Sequence, residues 1–277
     1  MLRRGLRLGA VALVLAASGP VLSQQPGRPD GVQKMCADSA DASRAVAALP
    51  FTAKALRENK RIAVLAIGAT PVNERDQANG HYAQVEKFLE TSVKGLDVEI
   101  IDRGVSGELV RDGAERIKNE VALNKPDLVF WQVGVADALA LTPASELKDT
   151  LSSAVKWLKE HDVDVVLIGL RYQRQLAGHA GYQQIRAAIK EVVREEGIMR
   201  IGHYESVEAL DRMRRQEGAP ASDLDLTEAS SVCLADFLSR ALAVGLFAKQ
   251  QPQPQQQPQP QPAPDQARPP GPHLKVK

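Results

Sequence analysis

Thr70 ends the turn Gly68-Ala69-Thr70, which closes the apolar run RIAVLAIG at residues 61–68. A hydroxyl raised on a tight glycine turn after a buried strand can attack a carbonyl, provided a base takes its proton. Two more strand ends carry glycines: Arg103-Gly104-Val105-Ser106-Gly107 and Gln132-Val133-Gly134-Val135-Ala136-Asp137. Their backbone amides are the groups that could hold a developing oxyanion. A fourth stretch, SDLDLTEASSVCLADFLSRAL at 222–242, brings Ser222, Asp223 and Asp225 to the start of a long helical pattern.

The base is the missing part. Asp225 has a carboxylate, but a reference pKa of about 3.9 matches a hydroxyl poorly at neutral pH. Of the five histidines, His81 follows the first strand and His179 the fourth, both in loops on the functional rim. Either could supply the base, or be a surface histidine without a role. His161 ends a helix, His203 is expected near the opposite face, and His273 lies in the tail. Asp137, Asp223 and Asp225 share the rim, but no spacing assembles the oxygens of a hard-cation site, and no metal or cofactor is expected. GVSGELVRDG lacks the phosphate-loop lysine and the dinucleotide-binding glycine spacing. Trp131 and Trp157 fit core positions.

The elements that must position these residues alternate. Strands are expected at 61–68, 96–104, 126–134, 162–172 and 198–202, and helices at 83–95, 107–125, 145–161, 181–197, 205–216 and 227–248. Ser145 is the expected N-cap of the third helix, and Gly197 closes the fourth. Continuous apolar strands alternating with amphipathic helices imply a doubly wound α/β domain, with a mostly parallel sheet covered on both faces. Sites in such sheets lie beyond the carboxyl ends of the strands.

The order and spacing of these pieces resemble the SGNH, or GDSL, hydrolase family over roughly 60–245. IIDRGVSGE and PDLVFWQVG are the most family-like stretches. The resemblance implies a flavodoxin-like three-layer sandwich and ester or acyl transfer. It places a serine nucleophile after the first strand and a glycine amide after the second. A Gly-x-Asn turn and an Asp-x-x-His pair before the last helix complete the set. Gly68, Gly104 and Gly134 match. Thr70 stands at the nucleophile position, Ala136 at the oxyanion asparagine, Ser222 at the aspartate and Asp225 at the histidine. Losing a general base removes roughly 10²–10⁴-fold in rate, and losing an oxyanion donor about 10²–10³-fold. The expectation is therefore a degenerate catalytic set and a binding or accessory role toward acylated or glycan envelope material. The alternative is an esterase or acyl-transfer enzyme that uses Thr70 with His81 or Asp225 as base. A third reading makes the Pro/Gln tail the working part of a structural envelope protein.

The ends have a different character. Residues 1–23 carry a basic head, Arg3, Arg4 and Arg7, then an apolar run of about a dozen residues and a small-residue exit, the layout of a secretory signal peptide. An uncleaved membrane anchor is the alternative, although the run is too short for a span. A lead segment, 24–59, precedes the domain at 60–248. Residues 249–277 form a proline- and glutamine-rich tail that is expected to be disordered. The 277 residues sum to a net charge of +1, with +3 in 1–23 and +3 in 249–277, which leaves −5 for 24–248. That balance gives no support to nucleic-acid binding. Cys36 and Cys233, the two cysteines, are a candidate disulfide in an exported periplasmic or extracellular protein, with two buried thiols as the alternative.

Overall fold

The run 61–68 is apolar on both faces of its pleat, which suits only a strand covered on both sides. A computed structural model describes residues 47–68, 80–218 and 222–247; of 223–225, 227–229, 231 and 232 it describes the backbone alone. β1 (Arg61–Gly68), β2 (Asp97–Asp102), β3 (Leu128–Gln132), β4 (Asp164–Ile168) and β5 (Met199–Ile201) form one parallel sheet in the order β2-β1-β3-β4-β5. The register pairs Val64 with Ile100 on one side of β1 and Gly68 with Gln132 on the other.

Eight helices cover the sheet among the described residues: α1 (Pro50–Asn59), α2 (His81–Ser92), α3 (Val110–Asn124), α4 (Val135–Leu139), α5 (Ala144–Glu160), α6 (Ala180–Glu196), α7 (His203–Gln216) and α8 (Asp223–Phe247). Strand alternation sorts the core into two layers. Leu65, Ile67, Val129 and Trp131 face α3, α5 and α6. Ile62, Val64, Ala66, Leu128 and Phe130 face α1, α2 and α8. This is the doubly wound three-layer sandwich expected from the sequence. Its chain order reverses between β1 and β3, the switch point where such sheets open a crevice.

Four expectations change. The domain starts before residue 60, because Pro50–Asn59 is a helix whose Ala53 and Leu56 pack into the second layer. Asp164 of β4 holds this helix by its first turn, accepting from the Thr52 amide at 2.8 Å and the Thr52 hydroxyl at 2.8 Å. α8 begins at Asp223 rather than 227, and its buried residues run from Leu226 to Leu246. Ser145 lies inside α5, whose N-cap is Pro143. A short helix, α4, follows β3 and was not anticipated. Gly197 closes α6 in the left-handed conformation, φ +59°, as expected. Trp131 is buried in the core, while Trp157 is half-buried and stacks on His161 at 3.9 Å.

The tail and the segment before residue 47 lie outside the described residues, and so does Cys36. Cys233 is buried in α8 and disulfide-bonded. No helix among the described residues is long and apolar enough to cross a membrane.

Candidate active site

Because all five strands are parallel, their carboxyl ends share one rim, and each end carries a glycine: Gly68, Gly104, Gly134, Gly169 and Gly202. At Gly68 the glycine is obligatory. Its φ is +100°, and a Cβ there would stand 2.0 Å from the Gln132 carbonyl oxygen. β1 and β3 therefore approach as closely as backbone permits at the switch point. The next residues, through Thr70, lie outside the described residues.

At the second strand end the Gly104 amide is already engaged. It donates to Asp102 Oδ1 at 2.8 Å, and Val105 N returns to the Gly68 carbonyl at 2.9 Å. Gly104 is therefore not the free oxyanion donor that its position suggested, since an anionic acceptor occupies it. Gly107, three residues on, is left-handed with φ +77° and exposed, with open space around its α-carbon.

The third strand end is built as a helix anchor. Gly134 has φ +99° and caps α4. Ala136 sits half-buried in α4's first turn and brings no side-chain donor. Asp137 is buried, and its carboxylate accepts from Val110 N at 3.1 and 3.3 Å, which caps the N-terminus of α3. Burial raises the pKa of this carboxyl; the bond from Val110 works in the opposite direction. Asp137 lines a small hollow with Val110, Thr142 and Glu146, and its oxygens are turned to the amide of α3.

The histidines divide differently from expectation. His161 ends α5 on the opposite rim, and His179 is an exposed N-cap of α6. His81 is buried at the start of α2, its ring 4.1 Å from Tyr82, which stacks on Phe130 at 6.1 Å. His203 corrects the sequence expectation. It follows β5, whose carboxyl end is on the functional rim, and it is buried beneath that rim. Burial pushes its pKa down to about 3, with Arg171, Arg200 and His81 adding positive charge, and its Nδ1 has no hydrogen-bond partner. A histidine so reluctant to accept a proton is a weak general base at neutral pH.

Next to His203, burial opposes ionisation of Glu205, yet Arg200 and Lys190 pull its carboxyl down to about 2. Arg200 meets it at 3.1 Å, and Arg186 and Lys190 each at 3.0 Å.

Beyond β4 the rim opens into a cleft of about 220 Å³ between residues 171–175 and α8, where Leu226 and Ser230 line it. Asp211 of α7 shapes that loop. It accepts from the Tyr172 hydroxyl at 2.7 Å and from Arg174 at 2.5 and 3.3 Å, and pairs with Arg215 at 2.9 Å. Ser222 is exposed just before α8, and Asp225 lies in its first turn, its side chain outside the description. The rim thus brings together Gly68, Gly104, Gly134, Ala136 and the buried pair His81 and His203. Among the described residues no cluster of three or more His, Cys, Asp or Glu could hold a metal.

The model of the non-GDSL lipase-like family matches residues 35–247. The chain belongs to that family. Over 77 residues it is 29% identical to an arylesterase of Vibrio mimicus, covering 28% of this chain and 38% of the relative, so it spans well under half of that protein. Its fold is similar to TesA, with a TM-score of 0.52 and 21% identity over 65% of this chain and 97% of TesA. A catalytic mutant of Axe2, an acetylxylan esterase from Geobacillus stearothermophilus, gives 0.51 at 19% identity over 68% and 95%. The acetyl xylan esterase AlAXEase gives 0.55 at 15% identity over 65% and 100%. The resemblance to SGNH/GDSL-type esterases therefore holds for the fold, within the non-GDSL lipase-like family.

Proposed function

We propose that this family member is an exported binding or accessory protein of the cell envelope, built on an esterase fold whose catalytic set no longer turns over. The observation that carries this reading is the oxyanion side of the rim. Ala136 offers no side-chain donor, and the Gly104 amide is held by Asp102 at 2.8 Å. At the nucleophile and base positions the sequence has Thr70 and Asp225. A threonine attacks only when a base activates it, and the buried His203, held neutral down to about pH 3, is poorly suited to that task. Each missing role costs orders of magnitude on its own, about 10²–10³-fold for a single oxyanion donor. The family's description as non-GDSL agrees with a departed nucleophile motif. Export is supported by the basic head and apolar run of residues 1–23 and by Cys233, which is disulfide-bonded.

The ligand class we assign is acylated or glycan envelope material. It is supported by the polar cleft between 171–175 and α8, and by neighbours in fold that include acetylxylan esterases. A second reading, an esterase using Thr70 with His81 as base, draws on the burial of His81 at the start of α2 on the rim. Hydrolysis of short-chain nitrophenyl esters separates the two. Wild type should be no faster than Thr70→Ala, whereas Thr70→Ser, Ala136→Asn, Ser222→Asp and Asp225→His together should create turnover. Single restorations should add little, because catalytic groups act as a unit. Wild-type turnover that vanishes in Thr70→Ala would favour the threonine enzyme.

A further inference from the structure

Among the described residues the sheet has two open edges, and they are protected unequally. β5 is three residues long, too short to template another strand, whereas β2 has six and includes Val98, Ile100 and Ile101. An open edge of that length invites pairing with another chain. In β2 the odd-numbered amides face β1: Asp97 N donates to the Lys60 carbonyl at 2.9 Å and Arg103 N to the Ala66 carbonyl at 2.8 Å. The even-numbered amides point out of the sheet, and two of them meet carboxylates of α2. Ile100 N donates to Glu86 Oε1 at 2.7 Å, and Val98 N donates to Glu90 Oε1 at 3.3 Å.

The spacing explains the match. Residues four apart on a helix advance about 6 Å, and residues two apart on a strand advance about 6.6 Å. Glu86 and Glu90, on one face of an antiparallel helix, therefore present acceptors at nearly the pitch of a neighbouring strand. Val85 and Leu89 on the same helix are buried in the core, which holds the two carboxylates in place.

We propose that Glu86 and Glu90 are an edge guard, closing β2 against pairing with a second copy of this chain. Among the described residues β2 is the long open edge, so the matching strand on another copy is its own β2, in a two-fold contact.

The test is amide hydrogen exchange on the full chain, with molar mass measured by light scattering over a wide concentration range. In Glu86→Ala the Ile100 amide should exchange about 10–100-fold faster, as expected for losing a bond to a charged acceptor. Glu86→Gln, whose side-chain carbonyl still accepts, should retain protection. Alanine is the strongest helix former, so α2 itself is not weakened. Glu86→Ala/Glu90→Ala should form a concentration-dependent dimer that Glu86→Gln/Glu90→Gln does not. Unchanged exchange at Ile100 in the single variant overturns the guard, and so does a double variant that stays monomeric at every concentration. If the double variant fails to fold, the single-variant exchange decides.

Discussion

Replacing Asp164 probes how α1 is fastened to the sheet and how that fastening responds to pH. The Asp164 carboxyl is 6% exposed and accepts two 2.8 Å bonds from Thr52, itself fully buried, at the first turn of α1. Burial raises its pKa from 3.8 to about 6; the bonds from Thr52 pull the other way, and the nearby Asp127 adds to the rise. In the unfolded chain the group returns to about 3.9. The folded state therefore holds the proton more tightly. This contribution to stability is fully present below about pH 4 and is lost as pH rises through about 6. A shift of about two units corresponds to about 3 kcal/mol, at 1.36 kcal/mol per unit. Asp164→Asn cannot ionise, so urea unfolding of wild type and variant should show the variant gaining by up to about 3 kcal/mol between about pH 4 and pH 7. Asp164→Ala, by contrast, leaves the buried amide of Thr52 without its acceptor, at about 1–3 kcal/mol, while the Thr52 hydroxyl keeps the Asp127 carbonyl at 3.3 Å. A stability difference between wild type and Asp164→Asn that is flat across that window would refute the reasoning.

Gly68→Ala should fail to give a cooperatively folded protein, because the new Cβ would meet backbone at 2.0 Å in a conformation with φ +100°; a normal thermal transition would contradict the close approach of β1 and β3. Asp137→Ala should cost about 1–3 kcal/mol by orphaning the buried amide of Val110, read by denaturant unfolding, while Asp137→Asn, which keeps an acceptor, should cost less. Mass spectrometry of protein from the native envelope fraction should find a mature chain starting near Gln24, and an intact Met1 start would contradict export.

The strands were legible because their apolar character is local: RIAVLAIG and LVFWQ need both faces covered wherever they sit. The start of α8 was not, because SDLDLTEA has few apolar residues and its Leu226 is buried by a tertiary contact with Val207 and Leu210 of α7. α1 was hidden for a related reason: its fastening is Asp164, 112 residues away in sequence from Thr52. The glycines of the rim could be read from strand ends, but where their amides point could not. Asp102 claims Gly104 through a short local turn, and Asp137 accepts from the first amide of α3. His203 was placed near the opposite face because the direction of a three-residue strand depends on its pairing with β4, a tertiary fact. The cleft beyond β4 depends on Asp211 in α7, which nothing near residues 171–175 announces.

The most direct test of the inert rim is intact-mass analysis after incubation with a fluorophosphonate, which bonds covalently to an activated hydroxyl nucleophile and so does not depend on guessing the substrate. Wild type should show no adduct beyond that of Thr70→Ala, while the fourfold restored variant should gain one. A single adduct on wild type that is mapped to Thr70 and absent from Thr70→Ala would show a living nucleophile and contradict the reading of a degenerate site.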